Sequence, residues 1–85
     1  MGKVIYEKKA LKGLRKMPTG LQRKIRNSLN EIAVDPRRYS GDWKPLKGSP
    51  YWRLRVGRYR AVCDIRDDQL MLLTLKIGPR GDIYK

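Results

Sequence analysis

The sequence contains no histidine and a single cysteine, Cys63. These scarcities exclude whole classes of chemistry. A protein zinc site is built from histidine and cysteine ligands, an internal disulfide needs two thiols, and Ser-His or Cys-His nucleophile pairs need an imidazole. No metal and no cofactor is expected, and catalysis must draw on Arg, Lys, Tyr, Asp or Glu. Acidic side chains are also few, 8 against 21 lysines and arginines, which leaves a formal net charge of +13 and a pI near 10.4. Such an excess repels itself and favours polyanionic partners, nucleic acid first. There is no run of about 18 apolar residues and no signal-peptide core, so a membrane surface is the lesser rival and the cytoplasm the expected location. The 85 residues are enough for one domain, 1–85, with one core and no deep internal cavity, so function is expected at the surface.

What the chain does have is Tyr51-Trp52-Arg53-Leu54-Arg55-Val56-Gly57-Arg58-Tyr59-Arg60, four arginines in eight residues without an acidic neighbour. Before Gly57 the residues alternate strictly. In a β-strand Trp52, Leu54 and Val56 then face a core, while Tyr51, Arg53 and Arg55 face the other way. Guanidinium forks pair with phosphates and aromatic rings stack on bases, so this second face suits a polyanion with stackable bases. Arg53 and Arg55 would stand roughly 7 Å apart, within reach of one sugar-phosphate unit, and Arg60 on the next strand can join them. A merely solvated cationic face is the alternative.

The surrounding pattern reads as an α+β domain. A strand is expected over Lys3 to Tyr6, then a helix from Glu7 to Met17 with Leu11, Leu14 and Met17 on its apolar side. Pro18-Thr19-Gly20 ends it, and Thr19 with Gln22 has the spacing of a capping box for a second helix. That helix carries the stripe Leu21, Ile25, Leu29, Ile32 and Ala33 and stops near Val34 at Asp35-Pro36, giving an antiparallel helical hairpin. Residues 37–50 read as an irregular crossover. A three- to four-stranded antiparallel sheet follows, from Tyr51 to Val56, Tyr59 to Arg66 and Gln69 to Ile77, with a tight turn around Asp67-Asp68. Unbroken alternation in the last strand places Met71, Leu73, Leu75 and Ile77 on the core face, opposite Ala61, Cys63 and Ile65. Cys63 is then a small buried hydrophobe. Leu70 and Leu72 fall on the opposite side, either buried in their turn or forming an apolar strip for a partner segment. Gly78-Pro79 is expected to break the strand and free residues 80–85 as a tail or short final strand, from which Arg80 and Tyr84 could fold back over the arginines. Lys8, Lys9 and Lys12 on the first helix, Arg23, Lys24 and Arg26 on the second, and Lys44, Lys47 and Arg58 beyond them are candidate contacts for nucleic acid, or else ordinary solvated charge.

The element order, together with Tyr51 to Val62, the run Ile77-Gly78-Pro79-Arg80 and the closing Tyr84, resembles the RelE toxins of the RelE/ParE superfamily across essentially the whole chain. The resemblance implies a toxin that enters the ribosomal A site and cuts messenger RNA there, held inactive by a cognate antitoxin. It implies that Arg53, Arg55, Arg60, Arg80 and Tyr84 are the active residues; the basic residues of the helices and crossover are expected, from their charge, to meet RNA or the ribosome. Arginine stands at two strand positions where family members often carry lysine, and proline at Pro79 where many carry histidine or lysine. Because a guanidinium stays protonated near neutral pH, Arg53 and Arg55 supply charge rather than proton removal. Two other readings fit the charge: a ParE-like inhibitor of DNA gyrase without nuclease chemistry, similar in fold, and a passive basic RNA-binding module.

Overall fold

The computed structural model describes residues 2–67 and 71–79. Its elements run β1 (Lys3–Tyr6), α1 (Lys8–Arg15), α2 (Thr19–Val34), a 3₁₀ turn (Pro36–Arg38), β2 (Asp42–Pro45), β3 (Trp52–Val56), β4 (Tyr59–Arg66) and β5 (Met71–Pro79). The strands form one sheet in the order β1-β5-β4-β3-β2. Strands β2 to β5 are antiparallel neighbours, and β1 lies parallel to β5 at the edge. The α+β order expected from the sequence is the one observed, with an additional strand, β2, in what the pattern marked as irregular crossover. The turn proposed around Asp67-Asp68, Leu70, and residues 80–85 fall wholly or partly outside the described residues.

Both helices cover one face of the sheet because each has one apolar stripe to bury. In α2, Ile25, Leu29 and Ile32 recur at helical spacing and are fully buried, with Ala33 beside them. In α1 the buried residues are Ala10 and Leu14. They meet Leu54 and Val56 of β3, Ala61 and Cys63 of β4, and Leu72 and Ile77 of β5 in a single core. Burying such side chains contributes roughly 1.5–3 kcal/mol each. Gly13 sets the approach of α1: a Cβ there would overlap the backbone carbonyl of Ile77.

Three local expectations are corrected. The capping box does not form, because Pro18 takes the N-cap position and Thr19 is already helical. Gln22 does reach back, but its Nε2 donates to the Met17 carbonyl at 2.8 Å. The face assigned to β5 is the wrong one over half its length. Val62 pairs with Lys76 while Cys63 pairs with Thr74, so Leu75 is an extra residue, a bulge that reverses the alternation. Leu72 and Thr74 therefore enter the core with Ile77, and Met71 and Leu73 stay half-buried on the opposite face. Finally, Gly78-Pro79 does not end the strand: Gly78 pairs with Arg60 and Pro79 with Tyr59. Proline is tolerated because it is the strand's last residue, where a missing N–H costs little.

Candidate nucleic-acid interface

The face of the sheet turned away from the helices carries the arginines. Its chemistry can be read from the strand registers. Asp42 of β2 pairs with Arg55 of β3, Arg55 with Arg60 of β4, and Arg60 with Gly78 of β5, so these four form one row across the sheet. The next row is Lys44, Arg53, Val62 and Lys76. Direct cross-strand neighbours hold their Cβ atoms about 4.5–5.5 Å apart. Arg55 and Arg60 thus place two like charges side by side, with glycine instead of a side chain next to Arg60.

A two-residue turn, Gly57-Arg58, closes β3 onto β4 beside this row. Gly57 adopts φ +59°, a left-handed conformation that costs glycine nothing and most other residues about 1 kcal/mol or more. The turn brings Arg58 to the rim of a surface cavity of about 290 Å³ lined by Arg55, Gly57, Arg58, Arg60 and Pro79. Arg60 is only 4% exposed, although it points away from the core. Among the described residues its one hydrogen bond is from Nη1 to the carbonyl of Tyr59, at 3.3 Å. A guanidinium has five N–H donors, so most of its capacity is unused by those residues. Three arginines converging on an open cavity make a ready anion site.

Arg53 is in a different state. Its Nη1 donates to Asp42 Oδ1 at 2.9 Å, and the pair is only partly exposed. The other carboxylate oxygen, Oδ2, lies 3.9 Å from Arg55 Nη1. Asp42 was not among the residues singled out from the sequence. It lies eleven residues before Arg53, and its role depends on β2 pairing with β3, which no local pattern signals.

Of the other candidates, Lys44 shares the arginine face and Lys47 is exposed just past β2. Lys8, Lys9, Lys12, Arg23 and Lys24 are exposed on the helices, across the sheet from the arginines. Arg26, also on α2, stacks its guanidinium 5.5 Å from the centre of the Tyr6 ring. Arg80 and Tyr84 lie outside the described residues, though Arg80 directly follows Pro79 at the cavity rim. Cys63 is buried beside Thr74, and burial pushes its thiol up to about 12, which fits the small hydrophobe expected. Among the described residues no cluster of side chains could hold a metal ion, and no helix is long and apolar enough to cross a membrane.

Comparison with known proteins agrees with this architecture. Solved structures of RelE toxins superpose over nearly the full chain. For RelE in the archaeal RelE-RelB complex of Pyrococcus horikoshii the TM-score is 0.79 at 24% identity, covering 95% of this chain and 97% of that one. For the Methanococcus jannaschii RelB-RelE complex the TM-score is 0.76 at 24% identity, covering 94% of each. For the intact E. coli RelBE complex it is 0.76 at 21% identity, covering 93% and 96%. At these identities the likeness is one of fold. No curated protein matches the chain. The sequence model of the ParE toxin of the type II toxin-antitoxin system parDE matches residues 4–84. The chain therefore belongs to the ParE toxin family of type II toxin-antitoxin systems, within the RelE/ParE superfamily.

Proposed function

We propose that this toxin is a metal-independent endoribonuclease that cuts messenger RNA in the ribosomal A site. The observation that carries the reading is the convergence of Arg55, Arg58 and Arg60 on one open cavity, with Arg53 beside it. In the reaction, the 2′-hydroxyl of a nucleotide attacks its own 3′ phosphorus. A bond from the 2′-oxygen to phosphorus forms, the bond to the 5′-oxygen of the next nucleotide breaks, and the hydroxyl proton passes in net to that leaving oxygen. The products are a 2′,3′-cyclic phosphate and a 5′-hydroxyl. Charge builds up on the pentacoordinate phosphorus, and preorganised guanidinium donors stabilise it without a metal. Arg60 and Arg55 serve the nonbridging oxygens. Arg80 is assigned to the leaving oxygen and Tyr84 to stacking on a base, on the strength of the family resemblance.

A ribosome supplies what this face does not. Aligning the 2′-oxygen, phosphorus and leaving oxygen is worth several kcal/mol, and a message held in the A site is already oriented. The basic helices and Lys44, Lys47 and Arg58 add long-range attraction to RNA. A cognate antitoxin, acidic enough to complement the +13 charge, is the expected protein partner; the superposed RelE chains were solved with RelB.

The experiment is primer extension on a defined message in a purified bacterial translation system, with wild type beside Arg60→Ala. Cuts within A-site codons that weaken about 10²- to 10³-fold in the variant support the assignment. The match to the ParE model favours a second reading, inhibition of DNA gyrase without RNA cleavage. An intact message together with loss of supercoiling at low stoichiometry would select it.

A further inference from the structure

Asp42 is the only carboxylate in the row Asp42-Arg55-Arg60-Gly78, and both of its oxygens point at arginines. Oδ1 accepts from Arg53 at 2.9 Å, while Oδ2 makes a longer ion pair with Arg55, 3.9 Å from its Nη1. Two oxygens of one anion bridging two guanidiniums is the geometry that a phosphodiester's nonbridging oxygens would adopt on the same strand face. The chain holds few carboxylates, and the rest of the described ones are engaged elsewhere or exposed: Asp64 pairs with Arg66, Asp35 caps the 3₁₀ turn, and Glu7, Glu31 and Asp67 are exposed. An acidic residue at this point therefore opposes the charge that the rest of the face builds up.

We propose that Asp42 is a specificity-determining residue, an internal stand-in for phosphate that must be displaced from Arg53 before the face can grip a polyanion fully. This rests on the nucleic-acid reading given above. An arginine held by a carboxylate neutralises no phosphate and so releases none of the strand's condensed counterions, and Arg53 contributes nothing to the salt-dependent part of binding while Asp42 holds it. Casual RNA then meets only the cavity of Arg55, Arg58 and Arg60. A strand presented in register can compete for Arg53 as well, because its alignment has been supplied elsewhere. Asp42 thus lowers affinity for unaligned RNA by holding Arg53 closely and Arg55 more loosely, and leaves Arg58 and Arg60 of the cavity available.

The test uses a single-stranded all-DNA oligonucleotide, which has no 2′-hydroxyl and cannot be cut by the proposed route, so binding is read apart from cleavage. Fluorescence anisotropy across a sodium chloride series is compared for wild type, Asp42→Asn, Asp42→Glu, Arg53→Ala and the double variant Asp42→Asn/Arg53→Ala. Asp42→Asn is expected to bind about tenfold more tightly, the effect of one added charge-assisted hydrogen bond. Its plot of log affinity against log salt should steepen by about 0.7, the contribution of one more phosphate on a single strand. Asp42→Glu should stay near wild type, and adding Arg53→Ala should erase the gain. Should Asp42→Asn fail to fold, Asp42→Ser, also uncharged and small, reads the same slope. An uncharged variant with native circular dichroism that binds no more tightly than wild type, at an unchanged slope, overturns the proposal. The nuclease reading can fail separately, by an intact message in primer extension, without changing this slope. Wild-type protein and Asp42→Asn that both fail to bind the strand even at low salt also overturn the proposal, while primer extension still decides the nuclease reading.

Discussion

Arg55 stands directly across from Arg60, at one register position of β3 and β4. Like charges in opposed positions on a sheet destabilise it. Their compensation is slight: Arg55 has one oxygen of Asp42 at 3.9 Å, shared with Arg53, and among the described residues Arg60 meets only the Tyr59 carbonyl. A fold that keeps such a pair is one whose stability should respond to anions. Removing Arg60 should therefore relieve the like-charge contact at low ionic strength, offsetting part of the packing lost with a side chain only 4% exposed, while lowering activity about 10²- to 10³-fold. Millimolar sulfate should raise the melting temperature of wild type more than that of Arg60→Ala. Equal shifts in the two proteins would mean that sulfate acts only through general exclusion from the surface and that the pair is no anion site.

The reading of β3 from its residues and the misreading of β5 have the same origin. Strict alternation is a reliable guide while the ladder is regular, and Leu54 and Val56 are buried as the pattern requires. The bulge at Leu75 is a property of how β4 and β5 pair, so β5 alternation alone put Leu73 on the core face and Leu72 off it. Strand β2 escaped notice because it is four residues long and ends in Pro45. It is held by the stacking of Trp43 on Trp52, ring centres 5.3 Å apart, a contact between residues nine apart in sequence. Arg53, Arg55 and Arg60 could be singled out because they lie along two adjacent strands joined by a two-residue turn. Asp42 could not, since what makes it matter is an edge pairing that has no local signal.

Cys63 gives a stability prediction with a definite sign. Desolvation by burial is the larger influence on its thiol, opposed by the hydrogen bond with Thr74, and the result is a shift from 9.0 up to about 12. The unfolded chain therefore loses this proton at a lower pH than the folded one. The stability linked to the thiol is fully present below about pH 9 and is lost as pH rises from there towards the folded value. Urea midpoints measured at pH 8 and pH 10.5 should fall further for wild type than for Cys63→Ala. In native protein at pH 8, thiol reagents should label Cys63 only as fast as the protein opens.

Gly13 is a helical glycine that should not be improved. Replacing glycine by alanine inside a helix ordinarily stabilises by roughly 0.5–1 kcal/mol. Here the added methyl would meet the Ile77 carbonyl, a backbone group of β5 that cannot swing aside as a side chain can. Gly13→Ala should lower stability by about 1–3 kcal/mol, the usual cost of overpacking. The check is a denaturation midpoint, and Gly20→Ala is the control, since a Cβ at Gly20 meets nothing within 4 Å. A Gly13 variant as stable as the Gly20 variant would rule out the tight packing.

The absence of histidine and the charge of the arginine face set the last prediction, which concerns catalysis itself. Guanidiniums hold their charge across the neutral range, and with no imidazole in the chain no side chain has an unperturbed titration between pH 5 and 8. The face stabilises charge on the phosphorus but offers weak proton transfer, and Asp42 is turned towards Arg53. Free RNA should be cut slowly, and its rate should climb with pH, following the ionisation of the 2′-hydroxyl, without an inflection near pH 6.5. On the ribosome, alignment adds the missing orientation, and effective molarities for well-oriented reactions reach about 10⁵–10⁸ M. The measurement is the cleavage rate of one message, free and in an A-site complex, at several pH values. A fast, site-specific cut of free RNA, or a bell-shaped profile centred near neutrality, would require an acid and a base that the arginine face does not contain.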